Sequence, residues 1–195
     1  MLNSKIIYKY YKGWCSYDKE GYDEYSYKET SKKYANGETF FVVAQRENED
    51  KPFATIMISD RNSFYVLHLN ENQDIDVEYR YVILYNLNKN KIFLYESMIR
   101  EYDYENNNLR KNINKVNSYY FATTHFNDKK DCFEWYILDK VNCEEIDYVT
   151  EEIITYKSKN IVNQDSLWED IPVFGDWDSL LKDKYNRIKF DEIKD

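Results

Sequence analysis

An alternation of period two runs through most of this chain and limits what it can fold into. In VEYRYVILYN (77–86), Val77, Tyr79, Tyr81, Ile83 and Tyr85 fall on one face, the pattern of a strand that lays one side on a core. FFVVAQRE (40–47), FATIMIS (53–59) and SFYVLHLN (63–70) are β-branched and aromatic runs of the same kind, and SDRN between the last two has hairpin length. After LNKNK, IFLYESMIRE (92–101) places Phe93, Tyr95 and Ile99 on one side, and SYYFATTHF (118–126) and CFEWYILD (132–139) read as a further hairpin around NDKKD. The pattern predicts a mainly β (α+β) fold in a single domain over 1–195: a bent antiparallel sheet or open barrel of about eight strands.

Three segments depart from that rhythm. YDYENNNLRKNINKVNS (102–118) is polar, yet Leu109, Ile113 and Val116 recur at helical spacing and suggest a short crossing helix. EEIDYVTEEIITYK (144–157) fits both periods, and its β-branched, tyrosine-rich content favours strand. IPVFGDWDSLL (171–181) reads as the approach to a C-terminal amphipathic helix over 176–188. There Asp176 would be the N-cap, Asp178 would face the positive end of the helix dipole, and Trp177, Leu180, Leu181, Tyr185 and Ile188 would form the stripe on the sheet.

With 32% charged residues the chain could be suspected of disorder, but 21 Tyr, 10 Phe and 4 Trp supply enough area to bury. The net charge of −9 repels a phosphate backbone, so a nucleic-acid partner is not expected and a basic protein partner is. Cys15, Cys132 and Cys143 are odd in number and lack CxxC spacing, which points to reduced thiols rather than to disulfides or zinc. No signal peptide and no apolar run of membrane length is read, so a soluble cytoplasmic protein is expected. Abundant Lys, Asn, Ile and Tyr with little Ala or Gly suggests an AT-rich genome, bacterial or phage.

Groups able to move protons or hold metals are few. His68 and His125 are the two histidines, each within a strand and neither in a metal-ligand spacing, and no GxSxG, GxGxxG or phosphate-loop pattern occurs. No cofactor, metal site or catalytic residue is assigned. An enzyme or small-ligand binder using the interior of the bent sheet is the alternative, with His68, His125, Cys132, Glu134 and Tyr136 as its candidates and Cys132 paired with His125 across a hairpin.

The more suggestive stretch is YDKEGYDEYSYKETSKKY (17–34), which has neither a period of 2 nor one of 3.6. Tyr17, Asp18, Tyr22, Asp23, Glu24, Tyr25 and Tyr27 form its candidate partner-binding surface. Tyrosine gives contact area at low entropic cost, and acids steer a cationic partner into encounter.

A small acidic chain with this acid and aromatic segment resembles the immunity proteins that neutralise bacterial polymorphic or contact-dependent toxins. The resemblance implies a non-enzymatic inhibitor that covers a basic active-site groove; phage inhibitors of host defence proteins share the same character. The six residues PVFGDW (172–177) also resemble the short core of plant NOI-domain proteins, a likeness from which nothing further is carried over.

Overall fold

The computed structural model describes residues 5–59, 63–83, 90–105, 108–124, 131–157 and 167–182. These form eleven strands and one helix: β1 (Ile6–Cys15), β2 (Glu20–Tyr25), α1 (Tyr27–Ala35), β3 (Phe40–Arg46), β4 (Pro52–Ile58), β5 (Ser63–Leu69), β6 (Ile75–Ile83), β7 (Lys91–Asp103), β8 (Asn108–Thr124), β9 (Asp131–Asp147), β10 (Glu152–Lys157) and β11 (Trp168–Asp170). The chain gathers into two compact units, one of residues 1–80 with 172–183 and one of residues 81–171 with 184–195.

In the first unit the strand order is β6-β5-β4-β3-β1-β2. The period of two becomes two faces. On one, Tyr10, Val42, Ile56 and Val66 stand opposite one another across four strands, and Phe40, Ile58 and Phe64 form the next row; every one of these side chains is buried. Helix α1 and residues 172–180 lie on this face, because Tyr34 and Phe174 both meet Phe40 and Phe174 stacks on Tyr10 at 5.5 Å.

The helix is locally specified at both ends. Ser26 accepts a hydrogen bond from the Glu29 amide and the Glu29 carboxylate accepts from the Ser26 amide, a reciprocal capping box. At the other end Gly37 takes φ +68, and the amides of Gly37 and Glu38 donate to the carbonyls of Tyr34 and Lys33. These bonds satisfy carbonyls that the last turn leaves open.

In the second unit the order is β10-β9-β8-β7, with β11 paired to β7 at Trp168 and Phe93. Ile92, Phe93, Leu94, Met98 and Leu167 are among its described buried side chains, and Trp168 tilts against Phe93 at 5.0 Å. The strand pairings described in both units are antiparallel, and neither strand order closes on itself.

The mainly β, antiparallel expectation holds, and two local readings change. Residues 102–118 contain no helix among the described residues: β7 runs to Asp103 and β8 starts at Asn108, so Leu109, Ile113 and Val116 belong to a long strand. Cross-strand pairing from Glu96↔Val116 to Asp103↔Asn108 outweighs their helical spacing. Residues 144–157 are strand, as favoured, interrupted by a turn at 148–151. The expected C-terminal helix is absent over 176–182, which are turn and bend, and 183–188 lie outside the described residues, as do Tyr185 and Ile188.

The reason lies in residues 173–178. Gly175 takes φ +90 and the Asp176 amide donates to the Val173 carbonyl at 2.9 Å, a tight turn that requires the third residue to be left-handed. That turn drops Phe174 and Trp177 together into the sheet face, and Asp178 accepts a hydrogen bond from the Tyr8 hydroxyl instead of facing a helix dipole.

Candidate functional site

The segment read as an aperiodic acid and tyrosine patch folds into a β-hairpin and the first turn of α1. Strands β1 and β2 pair from Tyr10↔Tyr25 to Cys15↔Glu20, joined by a turn over residues 16–19, and β2 ends the strand order of its unit. Two tyrosines lie across glycines. A Cβ on Gly13 would fall 2.1 Å from the Tyr22 ring, and one on Gly21 would fall 2.4 Å from the root of the Tyr11 ring. As the rings now lie, neither position has room for a side chain, and the rings replace the missing side chains as packing for the strand pair.

The chain is left-handed at Lys19 (φ 59) and at Asp23 (φ 55). Aspartate tolerates that conformation better than most residues. At the tip, the Asp18 amide donates to Cys15 Sγ at 3.5 Å, and the thiol lies 3.1 Å from the Asp18 carboxylate.

What this scaffold presents is negative. Asp18, Glu20, Asp23 and Glu24 are exposed, and Tyr17 is 91% exposed. The nearby cations are largely committed elsewhere: Lys19 pairs with Asp74, Lys33 pairs with Glu38 at 2.8 Å while lying over the Tyr25 ring, and Lys12 reaches only Asp23, at 3.4 Å. Among the described residues neither Glu20 nor Glu24 has a cation at ion-pair distance. Burial, and then the charge of Glu24, push the Tyr11 phenol above its ordinary value.

The seven predicted residues separate into two groups. Tyr17, Asp18, Tyr22, Asp23, Glu24 and Tyr25 sit on the hairpin. Tyr27 opens α1, and its ring is committed to packing, meeting Tyr10 at 6.0 Å and Phe174 at 4.9 Å. Glu20, an acid of the same segment outside the seven, belongs with the first group. The helix was missed, although SYKE (26–29) carried its signal, a serine followed three residues later by glutamate. Glu29 is thus a cap: its bonds from the Ser26 side chain and then the Ser26 backbone hold its carboxyl below the usual range.

Tyr27 joins Tyr10, Tyr34, Phe40, Phe174 and Trp177 in a ring cluster with centroid separations of 4.9 to 6.4 Å. Trp177 is 0% exposed, and the Tyr34 hydroxyl donates to the Pro172 carbonyl at 2.6 Å. Burial raises the Tyr34 phenol. Burial also raises Tyr10, opposed by the Trp177 indole, whose N–H closes no hydrogen bond of ordinary geometry. Tyr8 is raised furthest, first by burial and then by its bond to the Asp178 carboxylate.

The residues of the enzymatic alternative are divided between the two units and the residues outside the description. His68 lies in β5 of the first unit, edge-on to Tyr79 at 5.5 Å. Cys132, Glu134 and Tyr136 lie on β9 in the second unit, in register with Thr123, Phe121 and Tyr119, and His125 lies outside the described residues. An open depression of about 540 Å³ between residues 46–53 and 69–73 is lined by Arg46, Lys51, Glu71 and Gln73, among others, and does not include His68. No three metal-ligating side chains converge among the described residues, and no described helix is long and apolar enough to cross a membrane.

No protein-family model matches this chain, and no curated protein and no solved structure matches it either.

Proposed function

We propose that this protein is a non-enzymatic inhibitor which binds a basic protein through the β1–β2 hairpin, acting in a bacterial cytoplasm as an immunity protein that covers a toxin's active site. The observation that carries the reading is the surplus of unneutralised carboxylates at Asp18, Glu20 and Glu24 beside exposed tyrosines, on a hairpin whose backbone is pinned by two ring-on-glycine contacts. A rigid, rotamer-poor aromatic surface loses little entropy on docking, and its acids raise the encounter rate with a cationic surface. The net charge of −9 adds a long-range field of the same sign.

The test uses the protein as affinity bait in its native host, side by side with a Glu20→Lys/Asp23→Asn/Glu24→Lys variant. Asparagine is chosen at 23 because it also tolerates the left-handed backbone. A basic protein should be retained by the wild type, and its purified form should associate with the variant at least ten times more slowly. Equal retention and equal rates would remove the hairpin from the account.

A further inference from the structure

The tip of the β1–β2 hairpin is tied to a turn that the strand order places far from it. Lys19, the last residue of the tip, forms an ion pair with Asp74, in the turn that leads into β6, and the two side chains are 35% and 26% exposed. From β2 to β6 the order runs β2-β1-β3-β4-β5-β6, five strand spacings, or about 24 Å in a flat sheet. The two residues also lie toward opposite ends of the strands. His68 stands in line with Ala54, Ala44 and Tyr8, which puts the 70–74 turn at the start of β1, whereas Lys19 follows the end of β1 at Cys15. A flat sheet could not join these diagonal corners through one lysine; a sheet coiled by its own twist can.

The two ends of the contact are built differently. Asn70 Oδ1 accepts from the amides of Asn72 at 2.9 Å and Asp74 at 3.1 Å, and the side chain of Gln73, buried and at φ 66, donates to the Pro52 carbonyl at 2.9 Å. The 70–74 turn is therefore a fixed post. At the other end Lys19 takes φ 59, a conformation that penalises a lysine and not a glycine, and such a residue is held there by what surrounds it. With its ammonium drawn to Asp74, Lys19 leaves the adjoining Glu20 with no cation at ion-pair distance among the described residues.

We infer that Lys19 and Asp74 form an electrostatic clasp that holds the tip of the β1–β2 hairpin against the β5–β6 turn, and that breaking it loosens β2 while the strands beneath stay folded. A partly exposed pair contributes little to global stability, so the clasp is poised to open rather than locked.

Hydrogen exchange on the full chain reads this directly, comparing the amides of β2 with those of β3 and β4. Lys19→Asn keeps a residue that accepts the left-handed turn, and Asp74→Asn keeps the shape without the charge; each should speed exchange in β2 by about three-fold and leave β3 and β4 unchanged. Lys19→Glu and Asp74→Lys each set like charges together and should speed it about ten-fold, and the two combined should restore the wild-type rate. Circular dichroism establishes that each variant is folded; should a reversal unfold, the two asparagine variants decide. Unchanged exchange in the single variants overturns the proposal, and so does a folded double reversal no slower than the single ones. Faster exchange in β3 and β4 as well overturns it too, because the pair would then support the whole sheet and not a strap. The inference stands apart from the inhibitor reading, because no partner protein enters the measurement.

Discussion

The ring cluster around Trp177 and the β1–β2 hairpin draw on the same residue types, yet they differ in what surrounds the rings. In the cluster, Tyr34, Phe40, Phe174 and Trp177 face one another, and the Tyr34 hydroxyl reaches the Pro172 carbonyl. In the hairpin, the rings of Tyr11 and Tyr22 lie on bare glycine backbone, flanked by Glu20 and Glu24, which have no cation at ion-pair distance among the described residues. Tyrosine content alone therefore says nothing about a core or an interface. The neighbours decide: apolar rings and a carbonyl bury a tyrosine, whereas glycine beneath and acid beside leave its upper face to a partner.

That contrast can be broken by substitution. Trp177→Ala removes a fully buried ring from the centre of the cluster and should lower the unfolding free energy by about 3–5 kcal/mol in a denaturant titration. An unchanged midpoint would contradict the account of residues 172–177 as a buried anchor.

Alkali should act on the same region. Tyr8, Tyr10 and Tyr34 are all raised chiefly by burial. A raised phenol contributes stability that is whole below the ordinary tyrosine value of about 10 and is lost as pH rises through the folded value. Stability followed by tryptophan fluorescence should hold to about pH 10 and fall beyond it, less steeply in Tyr8→Phe. Equal slopes in the two proteins would remove the Tyr8 and Asp178 contact as a cause.

Changes in the hairpin should be smaller. Gly21→Ala drives a Cβ against the rigid root of the Tyr11 ring and should cost about 1–3 kcal/mol. Gly13→Ala meets the free end of Tyr22, which can swing away, and should cost less. A reversed order in the melts would show that the two ring contacts are not what pins the strands.

The helix cap sharpens the comparison at its boundary. Ser26→Ala should cost about 1 kcal/mol by loss of the N-cap bond. Because the Glu29 carboxyl is lowered, its contribution is whole above the ordinary glutamate value near 4.3 and disappears as pH falls through the folded value, so acid should narrow the difference between Ser26→Ala and wild type to the part carried by the Glu29 amide bond.

Much of this architecture was legible in the chain. Runs such as FFVVAQRE and VEYRYVILYN became β3 and β6, with Tyr79 and Tyr81 buried as their shared face required. The strands β1 and β2 were missed because their pairing sets Gly13 opposite Tyr22 and Gly21 opposite Trp14, which weakens the apolar alternation on which strand recognition depends. DWDSLLKDKYNRI carries a helical stripe, yet at residues 174–181 the left-handed Gly175 and the aromatic pocket direct the chain into turns. Tertiary contact overrides local propensity there. The candidate surface was found by composition, since acids crowded beside tyrosines are visible in one dimension. What composition could not separate was Tyr27, exposed on one side but packed on Phe174 and Tyr10.

The central claim is that carboxylates on the β1–β2 hairpin meet a cationic protein. Its most direct test is the association rate of the partner with the wild-type chain, measured by stopped flow between about 50 mM and about 300 mM salt. The account predicts a rate that falls at least ten-fold over that range and a shallower dependence for Glu20→Lys/Asp23→Asn/Glu24→Lys. A rate indifferent to salt, or a slope identical in the variant, would contradict it.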